Sequence, residues 1–374
     1  MTLVASPLLS TPLSKPRIAV IGAGHLGTIH ARLWLQDTDA VLTTIYDTHP
    51  ERAQNLVSIL QSQFPKTTVH AAQSLEEALE NCDAATIATP TSSHFAVAQA
   101  ALKARKHCFI EKPVAGSLAE TEALVELAAQ SSALIHVGQV ERFNPAFTQI
   151  TPHNIPPIRY IEAHRLAPFK PRALDVSVIL DLMIHDIDLA LWLTASPVKE
   201  IYANGASMLT RHADMAVARL HFENGAVAQF HVSRLSAETR RTMALYTNAH
   251  HVMIDFAAPS LDIFHFSEKG IQPVSFFEKH ENPHDTTNFQ SATTLQPAMV
   301  LQPATVLGEM TAIQTSSAWH EKPPLQATNA IRQEQQAFIA EIHSPSVIVQ
   351  RATHLSEALE SMRIAEAIAA QIRL

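Results

Sequence analysis

The chain is poor in cysteine and glycine, and it has neither a long apolar run nor a surplus of positive charge. Two cysteines in 374 residues are too few for a disulfide framework. Cys82 and Cys108 both lie in apolar surroundings, so reduced core thiols of a cytoplasmic protein are expected, and a metal site is not. No apolar run reaches the roughly 18 residues that a membrane-spanning helix requires. Net charge is −8 with no basic block, which argues against nucleic acid or an anionic membrane as partner. The first sixteen residues hold Pro7, Pro12 and Pro16 and little charge. They lack the basic start and apolar core of a secretory signal, so residues 1–16 read as a disordered leader.

What is present suits a globular enzyme, with 47% hydrophobic and 17% charged residues and enough length for two domains. Three of the nine glycines fall in one stretch, Arg17 to Gly27, which reads R-I-A-V-I-G-A-G-H-L-G. An apolar β-branched run breaks into Gly22, Gly24 and Gly27, and an amphipathic segment then starts at Leu26. This is strand, tight turn and helix. Gly22 permits the turn, Gly24 lets backbone approach a pyrophosphate, and Gly27 lets the helix pack close to the strand. The helix N-terminus around His25 and Leu26 then faces the phosphates. A second strand, Val41 to Tyr46, ends in Asp47, whose carboxylate can accept from the ribose hydroxyls and repels a 2′-phosphate. NAD is therefore favoured over NADP, although Arg52 leaves room for the latter.

Strand and helix alternate onward: a helix over 51–60, a strand near 68–70, and a helix over 74–80 opened by a Ser74/Glu77 capping box. A buried strand over 84–88 follows, then Thr89-Pro90 and a helix over 95–104. The strand His107–Ile110 ends in Glu111-Lys112-Pro113, a helix covers 118–129, and a strand covers 134–137. Six such units predict a doubly wound parallel sheet over residues 17–140. Lys112 at a strand's carboxyl end is either an ammonium beside the nicotinamide pocket or a surface lysine in a turn.

From Ile158 the pattern changes, and Ile158 to His164 alternates like a strand. Val178 to Leu193 reads as one strongly apolar helix carrying Asp181, His185, Asp186 and Asp188. Asp181 and His185 are four residues apart and share a face. Two readings stand: a satisfied core pair, or a carboxylate orienting an imidazole toward a ligand. Strand-like runs between 200 and 266 follow, with a hairpin signal at Glu223-Asn224-Gly225. The fold class is thus α/β, a Rossmann domain followed by an α+β domain over 141–355 with a large, mostly antiparallel sheet. Residues 278–325, rich in Gln, Thr, Pro and His, read as a loop or insertion. His280 and His284 within them are a poor basis for a metal site among 21 histidines. Amphipathic helices over 329–342 and 356–372 end the chain, the last within a separate carboxy-terminal segment, 356–374.

The glycine turn, Ala88-Thr89-Pro90 with His94, and Glu111-Lys112-Pro113 together resemble the glucose-fructose oxidoreductase/inositol dehydrogenase/MocA (Gfo/Idh/MocA) family. They occur in that family's order and spacing. The resemblance implies NAD(P)-dependent oxidation or reduction of a sugar or cyclitol hydroxyl. It sets Thr89, Pro90, His94, Glu111 and Lys112 along the cofactor and Lys112 at the catalytic centre. It also implies that Asp181 and His185, at the family's D-x-x-x-H spacing, complete the catalytic set, and that the carboxy-terminal helix, 356–374, packs at the domain junction. Val178-Ile179-Leu180 departs from the glycines that often precede that aspartate. His185 is the expected base, oriented by Asp181, with Lys112 binding the reacting oxygen; the reverse assignment stays open.

Within the family, Val140 to Ala146 and Leu180 to Asp188 are most similar to enzymes that oxidise the 3-hydroxyl of UDP-N-acetylglucosamine. On that resemblance Arg142 and Asn144 border nicotinamide and sugar, and His185 also contacts the sugar. Arg165, Lys170 and Arg172 would meet the diphosphate, or else lie in a solvated loop. The implied partners are a nucleotide-sugar substrate, a second copy of the chain in a homo-oligomer paired through the open sheet face, and a PLP aminotransferase acting on the product in lipid A synthesis. A dehydrogenase of a free sugar or inositol, or a non-catalytic NAD-binding regulator, is the alternative.

Overall fold

Six parallel strands form the first sheet: β1 (Arg17–Ile21), β2 (Val41–Tyr46), β3 (His70–Ala71), β4 (Ala84–Ile87), β5 (His107–Glu111) and β6 (Ile135–Gly138). Their order, β3-β2-β1-β4-β5-β6, is that of a doubly wound dinucleotide-binding sheet. The computed structural model describes residues 14–37, 39–131, 133–151, 155–171, 176–266, 272–275, 311–314, 319–344 and 351–372. Most of the predicted leader lies outside the described residues; of its last three, Pro16 accepts a hydrogen bond from the Val41 N–H.

The strands are buried on both faces, so they read as unbroken apolar runs rather than alternating ones. Helices α1 (His25–Gln36), α2 (Pro50–Gln63), α3 (Leu75–Glu80), α4 (Thr91–Lys103) and α5 (Leu118–Gln130) connect them. The capping expectation for α3 is met: Ser74 Oγ accepts from the Glu77 N–H at 3.1 Å. The Glu77 carboxylate reaches back to the Gln73 N–H at 2.7 Å, one residue further than the usual box.

The chain divides into two units, and the division differs from the expected boundaries. The first unit runs through Asn144 and takes in Thr328–Ala370; the second holds Pro145–Ala327 and Gln371–Leu374. Helices α7 (Ala330–His343) and α8 (Leu355–Gln371) thus belong, almost entirely, with the Rossmann sheet. The reason is burial. Phe338 and Ile339 of α7 share one core with Trp34, Ile45, Leu60 and Phe109, and Phe109 meets Phe338 edge-on at 5.8 Å. A buried histidine adds to the join: His136 of β6 lies between Glu334 and Glu341 of α7, 3.8 and 3.4 Å away. Burial would lower the pKa of His136, but the two carboxylates outweigh it and raise it.

The second unit is built on an eight-stranded sheet in the order β16-β13-β12-β11-β7-β10-β9-β8. Its strands are β7 (Ile158–Leu166), β8 (Val198–Ala206), β9 (Met215–Phe222), β10 (Val227–Ser233), β11 (Arg240–Thr247), β12 (His250–Asp255), β13 (Ser260–His265) and β16 (Trp319–Glu321). All pairings are antiparallel except β7 with β10. The predicted hairpin joins β9 and β10, with Gly225 at φ +84°. Part of the segment expected as loop is strand instead: β14 (Gln272–Ser275) pairs with β15 (Thr311–Gln314), and β16 extends the sheet edge. Residues 278–310 and 315–318, His280 and His284 included, lie outside the described residues, and 322–325 follow β16 without regular structure.

The helix expected over 178–193 is a π-helical turn, Ile179–Met183, running into α6 (Ile184–Thr194). Period-2 alternation gives the sheet one face rich in Ile161, Ala163, Phe230, Leu245 and Val252, all buried. The opposite face exposes Tyr202, Val217, Tyr246 and Met253. Among the described residues, no helix is long and apolar enough to cross a membrane.

Candidate active site

The turn after β1 is set by backbone room. Gly22 has φ +101°, and a Cβ on it would lie 2.7 Å from the Ala88 carbonyl oxygen. A Cβ on Gly27 would lie 1.8 Å from the Gly22 carbonyl oxygen, so only glycine lets α1 come this close. Gly24 is different: it is exposed, and a Cβ there would meet nothing within 4 Å. It caps α1 without any side-chain hydrogen bond. The first N–H groups of α1 therefore open onto solvent beside the exposed His25 and Leu26, where the helix dipole favours an anion.

Asp47 stands against this turn. Its Oδ2 accepts from the Ala23 N–H at 2.8 Å and its Oδ1 from the His49 N–H at 2.9 Å. Each oxygen keeps a lone pair for a further donor. Past β4, Thr89 carries a buried Oγ1 with no hydrogen-bond partner among the described residues, and Pro90 opens α4 exposed. An uncapped helix terminus, a carboxylate at the turn and an orphaned hydroxyl are what a dinucleotide's pyrophosphate, ribose and amide require. The residues fit the group.

His94 is placed differently from the expectation of a direct cofactor contact. It is 1% exposed, and its ring nitrogens lie 2.8 Å from the Pro113 carbonyl oxygen and 2.9 Å from that of Thr89. Burial pushes its pKa down, against the pull of the two carbonyls. The ring ties the Thr89-Pro90 loop to the segment after β5. Lys112 lies in that segment, half-buried, with a cis peptide to Pro113. Glu111 precedes it. Burial would raise the Glu111 pKa, but the hydrogen bond from His30 and the nearby positive charge hold it below the usual carboxylate range.

Arg142 and Asn144 are buried. Arg142 is 1% exposed and donates to the Glu357 carboxylate of α8 at 3.3 Å and to the Ala352 carbonyl at 3.4 Å. Asn144 donates to Glu141 at 3.2 Å. Those partners turn both side chains into the first unit's interior, which corrects the expectation that they border nicotinamide and sugar.

In the second unit, burial sorts the polar residues of the 178–194 stretch. Asp186 and Asp188 are 2% and 1% exposed, whereas Asp181 and His185 are half-buried. Asp181 falls within the π-helical turn and His185 at the start of α6; π turns of this kind recur at functional sites. Arg165 is a correction. Strand β7 continues to Leu166, and the pleat carries Arg165 to the buried face with Ile161 and Ala163. Its guanidinium grips Asp186 bidentately at 3.0 and 2.8 Å. A solvated loop or a diphosphate contact gives way to an internal brace on α6. Lys170 is exposed, and Arg172 lies outside the described residues. No group of three or more His, Cys, Asp or Glu side chains among the described residues is arranged to hold a metal.

Sequence reasoning missed His30, Glu334 and Gln335. His30 looks like one more residue in the amphipathic start of α1, and its partners, Glu111 and Gln335, lie 81 and 305 residues on, so no local spacing could signal them.

Residues 16–139 match the Gfo/Idh/MocA oxidoreductase family, NAD-binding Rossmann fold, and residues 136–250 match the Gfo/Idh/MocA C-terminal domain. The UDP-N-acetylglucosamine 3-dehydrogenase of Acidithiobacillus ferrooxidans is 39% identical over 250 residues, 67% of this chain and 77% of that one. Myo-inositol 2-dehydrogenase of Thermotoga maritima is 29% identical over 232 residues, 58% and 68% of the two chains. Among solved structures, UDP-N-acetylglucosamine 3-dehydrogenase GnnA from Acidithiobacillus ferrooxidans superposes with a TM-score of 0.76 at 30% identity, over 96% of this chain and 97% of that one. The chain belongs to the Gfo/Idh/MocA oxidoreductases, an NAD-binding Rossmann unit joined to that family's carboxy-terminal domain.

Proposed function

We propose that this enzyme oxidises the 3-hydroxyl of UDP-N-acetylglucosamine to the 3-ketone, ahead of transamination of the product by a PLP aminotransferase. The observation that carries the chemistry is the burial contrast along 178–194. Asp186 and Asp188 are buried, while Asp181 and His185 stay half-buried and one helical turn apart. The relative and solved structure named UDP-N-acetylglucosamine 3-dehydrogenase support the choice of substrate.

His185 takes the hydroxyl proton as general base, with Asp181 fixing its tautomer and raising its basicity. Lys112 binds the reacting oxygen and steadies its developing negative charge. Bound NAD would supply the hydride acceptor for the sugar carbon. Gly22, Gly24 and Gly27, with the first turn of α1, hold the pyrophosphate; Asp47 accepts from the ribose; Thr89, Pro90 and Glu111 line the nicotinamide end. His94 serves by holding Thr89 and Pro113 rather than by touching the cofactor. The enzyme works as a homo-oligomer paired through the exposed sheet face.

The test follows reduced nicotinamide by absorbance with NAD and UDP-N-acetylglucosamine, with aminotransferase and glutamate present to draw off the ketone. Cofactor reduction that is lost in Lys112→Ala and His185→Ala is the expected result. Turnover of myo-inositol instead would assign the chain to the inositol dehydrogenases, and tight NAD binding without turnover of either would leave a regulator.

A further inference from the structure

Beneath Lys112 lies a buried chain of three side chains that the reaction as written does not use. Glu111, at the end of β5, has its Oε1 2.7 Å from His30 Nε2. His30 is fully buried on α1, and its other ring nitrogen, Nδ1, lies 3.0 Å from Gln335 Nε2 on α7. The same amide nitrogen donates to the His30 carbonyl oxygen at 3.3 Å. The opposite amide orientation would set two acceptor oxygens against each other. An amide nitrogen cannot accept, so His30 Nδ1 must offer its lone pair. The ring is then neutral, with its one proton on Nε2 and aimed at Glu111.

Other groups around Glu111 act in the same direction or leave the argument unchanged. Lys112, just after β5, and His94 on α4 favour its charged form, while Glu334 on α7 is a carboxyl that burial pushes toward neutrality. Across the sheet, a Cβ on Gly138 would come within 3.3 Å of Glu111 Cδ and Oε2. Glycine at 138 therefore leaves the carboxylate room that any side chain would crowd.

We infer that Gln335 is a positioning residue. By donating to His30 Nδ1 it selects the ring tautomer that holds Glu111 as an aimed carboxylate beside Lys112, ready to accept from a hydroxyl or amide donor of the bound dinucleotide. This rests on the reading of Lys112 as lying at the nicotinamide end. The helix returning from the far end of the chain thereby sets the state of a group at the cofactor site.

The test uses the full chain, two substitutions, and NAD itself as the probe. Ring nitrogen NMR of the cofactor-free protein, with the His30 signal assigned by its loss in His30→Asn, reports where the proton sits. The wild type is expected to show a single Nε2-bound proton. Gln335→Glu offers an acceptor in place of the donor, and both His30 nitrogens then become protonated. Gln335→Met removes the donor at similar size. It is expected to weaken NAD binding about tenfold, the loss of one hydrogen bond to a charged group. It also moves the acid-side loss of NAD binding to higher pH, because burial then dominates at Glu111. The exposed Gln336→Met on the same helix controls for general effects on α7. An unchanged single Nε2 proton in Gln335→Glu, or wild-type NAD binding across pH in Gln335→Met, would overturn the inference. A wild type that carries the His30 signature and binds NAD but oxidises no sugar would overturn the dehydrogenase reading alone and leave this inference standing.

Discussion

Arg165 and Asp186 form a bidentate ion pair inside the second unit, with both side chains at most 4% exposed. Arg165 also lies over the Phe256 ring at 5.8 Å. The pair fixes the start of α6 one residue beyond His185. Removing one partner leaves the other charge buried, which costs about 3–5 kcal/mol. Arg165→Met and Asp186→Asn are each expected to lower the unfolding free energy, measured by urea titration, by that amount. Arg165→Met combined with Asp186→Leu is expected to recover most of it.

The glycine turn separates fold from binding. Gly27→Ala places a methyl 1.8 Å from a carbonyl oxygen and is expected to cost about 3 kcal/mol or more, with a lower melting temperature. Gly24→Ala meets nothing in the protein, so its melting temperature is expected to match wild type. It intrudes where backbone approaches the pyrophosphate, and NAD affinity measured by titration calorimetry is expected to fall about tenfold.

On the proposed site, Asp47 is the residue expected to set cofactor choice. Asp47→Ala is expected to weaken NAD binding about tenfold while NADP binding improves, since the charge that repels a 2′-phosphate is gone. Parallel titrations with the two cofactors check it. An unchanged ratio would show that Arg52 or another group decides the preference.

Asp214 gives the second unit an acid-sensitive point. It is fully buried. Burial would raise its pKa, but the N–H groups of Leu209, Met208 and Thr210 outweigh it and bring it from 3.8 to about 2. A depressed carboxylate pKa contributes stability that is present above the unfolded value and lost as pH falls through the folded one. Unfolding free energy is therefore expected to decline between about pH 4 and pH 2. In Asp214→Asn this part of the slope disappears and stability at neutral pH drops.

What could be read from the chain was what is local. A positive φ at Gly22, the Ser74 cap and the runs of apolar β-branched residues all act over a few neighbours, so the alternation of strand and helix was legible. Lys112 stood out by its place at a strand's carboxyl end and Asp181 and His185 by lying in an apolar helix, and the family resemblance made them candidates. The errors came from distance and parity. Arg165 looked like a loop residue because nothing in H-R-L-A-P says that the strand runs two residues further and turns it inward. Arg142 looked available because Glu357, its partner, lies 215 residues away. The helix over 329–342 looked like part of the second domain, and the last one like a segment of its own, because their apolar stripes do not say which core they fill.

That return of the chain has a consequence for how the protein is made. The Rossmann unit is begun before the second unit and completed only after nearly all of it, because α7 and α8 follow residues 145–327. Until then Phe109 lacks the Phe338 face, and His136 sits in an apolar core without Glu334 and Glu341. The nascent amino-terminal half carries an open hydrophobic seam through most of synthesis, the kind of surface that chaperones bind. The second unit, whose strands are consecutive in the chain, is free to fold in the interval.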